Sequence, residues 1–256
     1  MDVWLWPNIW FGCVRLENTK ANTTPKCALA GWHCRVEHAC TAARITVLDA
    51  TLRAVALATT GFMPEDEGDA LFAAAMLGGA ACPGLPMVEI GSYCGRSTVW
   101  FGAAARACNT VLHAVDHHVG SEENQPGWEW HDASLVDPST GRINTLPHFE
   151  QTMRSAGLTK SVLAIVGNSP EIAAAWKEPI AMCFIDGGHG REVARNDYLS
   201  WTPHIAVGGI LAIHDVFSDP ALGGQAPFEE IYLPAIASGK FVDVSATGSL
   251  RVLKRV

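Results

Sequence analysis

The sequence predicts an α/β protein built on a mostly parallel sheet with helices on both faces. Three observations predict it. Short β-rich runs alternate with helical patterns from residue 87 onward, the connections suit right-handed β-α-β crossovers, and two last β-rich runs flank a turn at Thr247-Gly248.

The elements follow in order. Val47, Leu48, Leu52, Val55 and Ala56 recur at helical spacing, and Gly61 and Pro64 end that helix. A second helix is expected over about 65–76, with Leu71, Phe72 and Ala75 on one face. A strand at 87–90 then precedes a helix at 97–107, and a strand at 111–115 precedes a long polar segment and a helix near 146–156. Strands at 162–166, 181–185 and 209–213 lead into helices at 170–176, 191–201 and near 228–238. The runs at 241–245 and 249–254 read as an antiparallel hairpin.

Residues 1–45 are different in kind. They hold four of the nine Trp and four of the eight Cys without sustained periodicity, which predicts a poorly ordered extension before a domain at 46–256. Cys27, His33, Cys34, His38 and Cys40 include metal-binding residue types, but their spacings match no zinc motif. One reading of the extension is a translation-start artefact. Basic residues outnumber acidic ones there by two, so within the net charge of −8 the remainder carries −10. That charge disfavours non-specific binding to nucleic acid or an anionic membrane. No basic signal-peptide region opens the chain, no apolar run nears the roughly 18 residues a span requires, and no C-x-x-C pair occurs. The expected location is the cytoplasm, with reduced cysteines.

In an open α/β sheet the informative residues stand just after each strand. After the first comes Glu89-Ile90-Gly91-Ser92-Tyr93-Cys94-Gly95-Arg96-Ser97-Thr98, where Gly91 and Gly95 allow a tight turn. The spacing is neither the G-x-G-x-x-G of nicotinamide dehydrogenases nor the Gly-Lys-Ser/Thr ending of an NTPase. Asp116 ends the second strand, where a carboxylate can take ribose hydroxyls; with the glycine turn it favours an adenosine-containing cofactor. Gly167-Asn168-Ser169 follows the third strand and could face adenine, although Ser169 is equally an ordinary helix N-cap. Asp186-Gly187-Gly188-His189 and His214-Asp215 follow the next two, placing carboxylates and imidazoles at one sheet edge. Such a set suits a divalent cation such as Mg²⁺ or Mn²⁺, or else it is a polar rim with a turn cap.

These ordered motifs resemble the class I S-adenosylmethionine-dependent methyltransferases. The nearer likeness is to metal-dependent small-molecule and sugar O-methyltransferases of actinobacteria, including those acting on mycobacterial polymethylated polysaccharides. The resemblance covers about residues 46–256 and implies a Rossmann-like, doubly wound, seven-stranded sheet whose last strand is antiparallel. It implies that Glu89, Gly91 and Gly95, with Ser92 and Ser97 in the same turn, surround the methionine part of the cofactor. Asp116 would hold the ribose, Asn168 and Ser169 would lie near adenine, and His117 and Asp186 would complete the cofactor-binding set. Asp186 and Asp215 would be metal ligands with His214 as third, although relatives often carry Asp-Asp or Glu-Asp where this chain has His214-Asp215.

The expected reaction is methyl transfer to a hydroxyl of a small acceptor, a carbohydrate in the favoured case, with metal-assisted deprotonation. His189 is the expected general base and His214 the second candidate. The segment between His117 and Leu146 is long enough for an acceptor-binding lid, with Glu122, Trp128, Trp130 and His131 as its contacts, or for an Ω-loop packed on its own tryptophans. A metal-dependent hydrolase using the same Asp/His cluster and a non-catalytic module of the same fold stay open. Self-association into a homo-oligomer is compatible with the sequence and not specified by it.

Overall fold

The computed structural model describes residues 47–256, so the expectations for the extension and its cysteine and histidine residues at 27–40 lie outside the described residues. Helix α1 (Ala50–Ala58) starts where Asp49 Oδ1 accepts the N–H groups of Thr51 and Leu52, supplying an acceptor that first-turn amides lack. In α2 (Glu65–Ala81), Glu65, Asp66 and Glu67 set negative charge at the positive end of the helix. This helix runs past the expected end near 76 and through Gly78 and Gly79. Both glycines sit in close packing, where a Cβ would press on Ala181 and Met182 or on Cys108, and that packing offsets their poor helix propensity.

The rest follows the expected alternation: β1 (Met87–Ile90), α3 (Arg96–Ala107), β2 (Leu112–Asp116), a small pair β3 (Val136–Asp137) and β4 (Arg142–Ile143), then α4 (Leu146–Ser155) and β5 (Val162–Val166). Next come α5 (Ser169–Ala175), β6 (Ile180–Ile185), α6 (Arg191–Trp201), β7 (Ile205–Ile213), α7 (Leu233–Ala237), β8 (Phe241–Thr247) and β9 (Leu250–Arg255). The main sheet has seven strands in the order β5-β2-β1-β6-β7-β9-β8. β5, β2, β1, β6 and β7 pair in parallel, and the last strand, β9, is antiparallel to both β7 and β8 and lies between them. The helix expected near 228–238 has a widened first part, a π-helix at Pro227–Tyr232 that continues into α7.

Each sheet face has its own core, as a sheet covered on both sides requires. Met182 and Phe184 of β6 join the cluster that holds Trp100 and Leu71, whereas Cys183 and Ile185 join the one that holds Trp201 and Ile213. From β1 the chain steps outward to β2 on one side, and β6 adds on the other. The strand order therefore reverses between β1 and β6, where such sheets bind ligands beyond their carboxyl ends. Among the described residues no helix is long and apolar enough to cross a membrane.

Candidate active site

A cavity of about 770 Å³ opens at that switch point. Its floor is the turn after β1. Gly91 has φ 86°, and a Cβ there would overlap the Asp186 carbonyl oxygen, so β1 and β6 can approach this closely only with glycine at the position. Tyr93 follows at φ 48°, held in the left-handed region by its N–H, which donates to Asp116 Oδ2 at 2.7 Å. Gly91, Ser92 and Ser97 reach the cavity wall. Ser92 is buried, and its hydroxyl has no hydrogen-bond partner, leaving it available to a polar ligand.

Glu89 and Gly95, expected around the cofactor, stand just off the cavity wall. Glu89 is fully buried beneath the turn, where Ser97 Oγ and Thr98 Oγ1 donate to its carboxyl at 2.7 and 2.6 Å. It ties the end of β1 to the first turn of α3, and burial pushes its pKa up to about 8 against those two hydrogen bonds. Gly95, at φ 92°, is the N-cap of α3 and backs onto Phe149 and Met153.

Asp116 and His117 both line the cavity. Each Asp116 oxygen accepts one backbone N–H, from Tyr93 and from His118, and keeps a second lone pair for a ligand hydroxyl. Asn168 and Ser169 line the far side. Asn168, not Ser169, caps α5, accepting the Glu171 N–H at 3.4 Å. The Ser169 hydroxyl is spent on structure: it donates to Asp197 Oδ1 at 2.6 Å and accepts from Trp201 Nε1 at 2.8 Å.

At the opposite end, ligand atoms of Asp186, His189 and Asp215 all lie within 4.8 Å of one another. All three residues line the cavity, where the two carboxylates are oxygen donors of the kind a divalent cation accepts and the His189 imidazole stands beside them. His189 bridges two acids, with Nε2 2.9 Å from Asp215 Oδ2 and Nδ1 3.0 Å from Glu123 Oε2. Burial alone would raise the Asp215 carboxyl, but His189 and His214 hold it well below the ordinary range. Burial has the upper hand at Asp186 and raises it.

His214, the expected third ligand, lies behind this group. It is 4% exposed, with Nδ1 3.0 Å from Asp186 Oδ1 and 3.2 Å from Asp215 Oδ2, and with Nε2 2.8 Å from Glu67 Oε2. Burial would lower its pKa, yet these three acids raise it well above the ordinary value.

The segment after β2 is tied down by its own contacts. Two single 3₁₀ turns (Glu122–Asn124 and Ala133–Leu135) flank its middle, and Leu135 and Ile143 pack against Cys94. Of the four expected acceptor contacts only Trp130 lines the cavity, set edge-on to Phe62 at 5.3 Å between ring centroids. Glu122 and Trp128 are not on the wall, and His131 turns inward, its Nδ1 2.9 Å from the Asn124 carbonyl. Sequence reasoning missed Phe62 and Tyr93, which extend this aromatic wall, chose Glu122 over its neighbour Glu123, and passed over Glu67. The signal for Glu123 was weak because Glu122 beside it is of the same type. Glu67 looked like any first-turn helix acid.

The fold is shared with solved methyltransferases. NovP, an O-methyltransferase, superposes with a TM-score of 0.58 at 14% identity, covering 75% of this chain and 80% of its own. TomG from Streptomyces achromogenes, an O-methyltransferase of tomaymycin synthesis solved with S-adenosylmethionine, gives 0.54 at 14% identity over 84% of this chain and 93% of its own. CalS11, described as a TDP-rhamnose 3'-O-methyltransferase of calicheamicin biosynthesis, gives 0.52 at 13% identity over 73% of this chain and 80% of its own. The family described as Methyltransferase domain matches residues 88–216, the stretch that runs from β1 through Asp215. With its sheet order, its glycine turn and this match across half its length, the chain belongs to the methyltransferase domain family.

Proposed function

We propose that the protein transfers a methyl group from S-adenosylmethionine to a hydroxyl of a small molecule, a sugar or oligosaccharide, with Mg²⁺ or Mn²⁺ assisting deprotonation. One observation carries this reading: a single cavity joins the glycine turn and Asp116 to the Asp186, His189 and Asp215 group. Its volume lies within the roughly 300–1,000 Å³ of small-molecule sites. The unpartnered Ser92 hydroxyl and the spare acceptor capacity of Asp116 fit a ligand with an amino-acid end and a ribose. S-adenosylmethionine supplies a sulfonium-bound methyl group open to attack by oxygen, and a divalent cation lowers the pKa of a hydroxyl bound to it.

The chain's own contribution is alignment and a proton acceptor. His189 is that acceptor, held between Glu123 and Asp215 at the edge of the cavity. In this pairing it keeps its proton at neutral pH; a cation held by Asp186 and Asp215 would engage the Asp215 carboxylate and so would free His189 to take a proton there. Trp130 and Phe62 offer flat apolar surface to the C–H face of a sugar ring. The descriptions of TomG, bound to S-adenosylmethionine, and of CalS11, a sugar O-methyltransferase, support the cofactor and acceptor class.

Calorimetry with S-adenosylhomocysteine tests the cofactor: neither heat nor a thermal shift would reject the reading. A screen of sugars and phenols with methyl-labelled cofactor, with and without EDTA, tests the rest. Transfer unaffected by EDTA would remove the metal, and hydrolysis without cofactor would favour the metal-dependent hydrolase.

A further inference from the structure

Behind the three cavity residues lies a closed ring of buried polar contacts that the proposed reaction does not use. Glu67, from the first turn of α2, is 4% exposed. Its Oε2 lies 2.8 Å from His214 Nε2, and His214 Nδ1 in turn meets Asp186 and Asp215. A second route starts from the same carboxylate. Glu67 Oε1 accepts the Ser249 N–H at 2.8 Å and Oε2 accepts the Ser249 hydroxyl at 2.9 Å, while Ser249 Oγ accepts the Asp215 N–H at 3.3 Å. One route orients the Asp186 and Asp215 side chains, and the other grips the Asp215 backbone.

That backbone needs gripping. Asp215 has φ 53°, a left-handed conformation that an L side chain rarely adopts and that neighbouring contacts must maintain. The turn that brings Ser249 to Glu67 is equally constrained, because Gly248 has φ 51° and a Cβ there would overlap Glu67 Oε1. Burying a carboxylate at a helix start is costly, and an exposed acid would serve the helix dipole as well. The cost is offset here by the imidazole and the two Ser249 donors.

We propose that Glu67 is a positioning residue for the cation site: through His214 and Ser249 it sets the spacing and orientation of the Asp186 and Asp215 carboxylates. The proposal rests on the metal-assisted reading above. Outer groups that orient metal ligands typically change metal affinity by about 10–100-fold when removed.

Mn²⁺ titration of the full chain followed by electron paramagnetic resonance, beside calorimetry with S-adenosylhomocysteine, tests it. Glu67→Ala is expected to weaken Mn²⁺ binding by about 10–100-fold while cofactor-product affinity stays within about twofold. Glu67→Gln, whose amide oxygen still accepts a hydrogen bond, is expected to recover most of the loss. Ser249→Ala, which cuts only the second route, is expected to weaken Mn²⁺ severalfold and decides the matter should Glu67→Ala not fold. Wild-type Mn²⁺ affinity in the deciding variant overturns the proposal, and so does a parallel loss of S-adenosylhomocysteine binding. Absence of Mn²⁺ binding by the wild type overturns both the proposal and the metal assistance, whereas methyl transfer itself is judged by S-adenosylhomocysteine alone.

Discussion

His189 Nε2 lies 2.9 Å from Asp215 Oδ2, and this contact sets the charge of the histidine. Burial would lower its pKa, but the hydrogen bond and charge of Asp215, helped by Glu123 and Asp186, raise it from 6.5 to about 9. A raised folded-state value means that the bound proton stabilises the fold fully below pH 6.5 and that this contribution fades as pH passes about 9. Nuclear magnetic resonance of the metal-free protein should show the His189 ring titrating near pH 9, with Asp215→Asn bringing it toward 6.5. A wild-type midpoint near 6.5 would contradict the pairing.

Glu89 makes the opposite demand on stability. Its carboxyl ordinarily titrates at 4.5, and burial raises it to about 8. The folded chain therefore binds the extra proton between these values, so stability falls as pH rises from about 4.5 to 8 and this contribution is level beyond. Urea denaturation should find Glu89→Gln more stable relative to wild type at pH 8.5 than at pH ~5. An equal difference at both pH values would show that Glu89 does not titrate in the fold.

Gly91→Ala brings a side chain against the Asp186 carbonyl at a positive-φ position. Overpacking and backbone strain together are expected to cost about 3 kcal/mol or more, measured by urea denaturation. S-adenosylhomocysteine affinity should fall with it, since the cavity floor must shift. Wild-type stability would mean that β1 and β6 can separate freely.

The two exposed tryptophans of the loop should behave differently. Trp130 lines the cavity and Trp128 does not. Once an acceptor is identified, Trp130→Ala is expected to raise its KM about tenfold, the effect of losing roughly 1.4 kcal/mol of stacking, while Trp128→Ala leaves KM unchanged. Equal effects in steady-state kinetics would remove the aromatic wall from acceptor binding.

Much of the site was legible because of where β-α-β architecture puts its strand ends. Gly91, Asp116, Asp186 and Asp215 each stand at or just after a strand, so recognising the strands was enough to gather them at one edge. The direction of the Glu89 carboxyl was not legible, because a strand in a sheet buried on both faces has no exposed side to assign it to. In the loop after β2 no period assigns side chains to a face, so Glu122 and Glu123, or Trp128 and Trp130, could not be told apart before the turns were seen.

The sequence by itself determined the α/β class, the element order, the terminal hairpin and the strand ends that carry the chemistry, because hydrophobic periodicity and turn residues are local properties. Only the tertiary structure decided that His214 is buried between Glu67, Asp186 and Asp215, that His189 stands beside Asp215 at the cavity, and that Glu67 reaches this group through contacts from α2 and the β8–β9 turn. The physical reason is that a side chain's charge and role depend on its burial and on partners remote in sequence. Glu67 and Ser249, 182 residues apart, meet only once the sheet has closed.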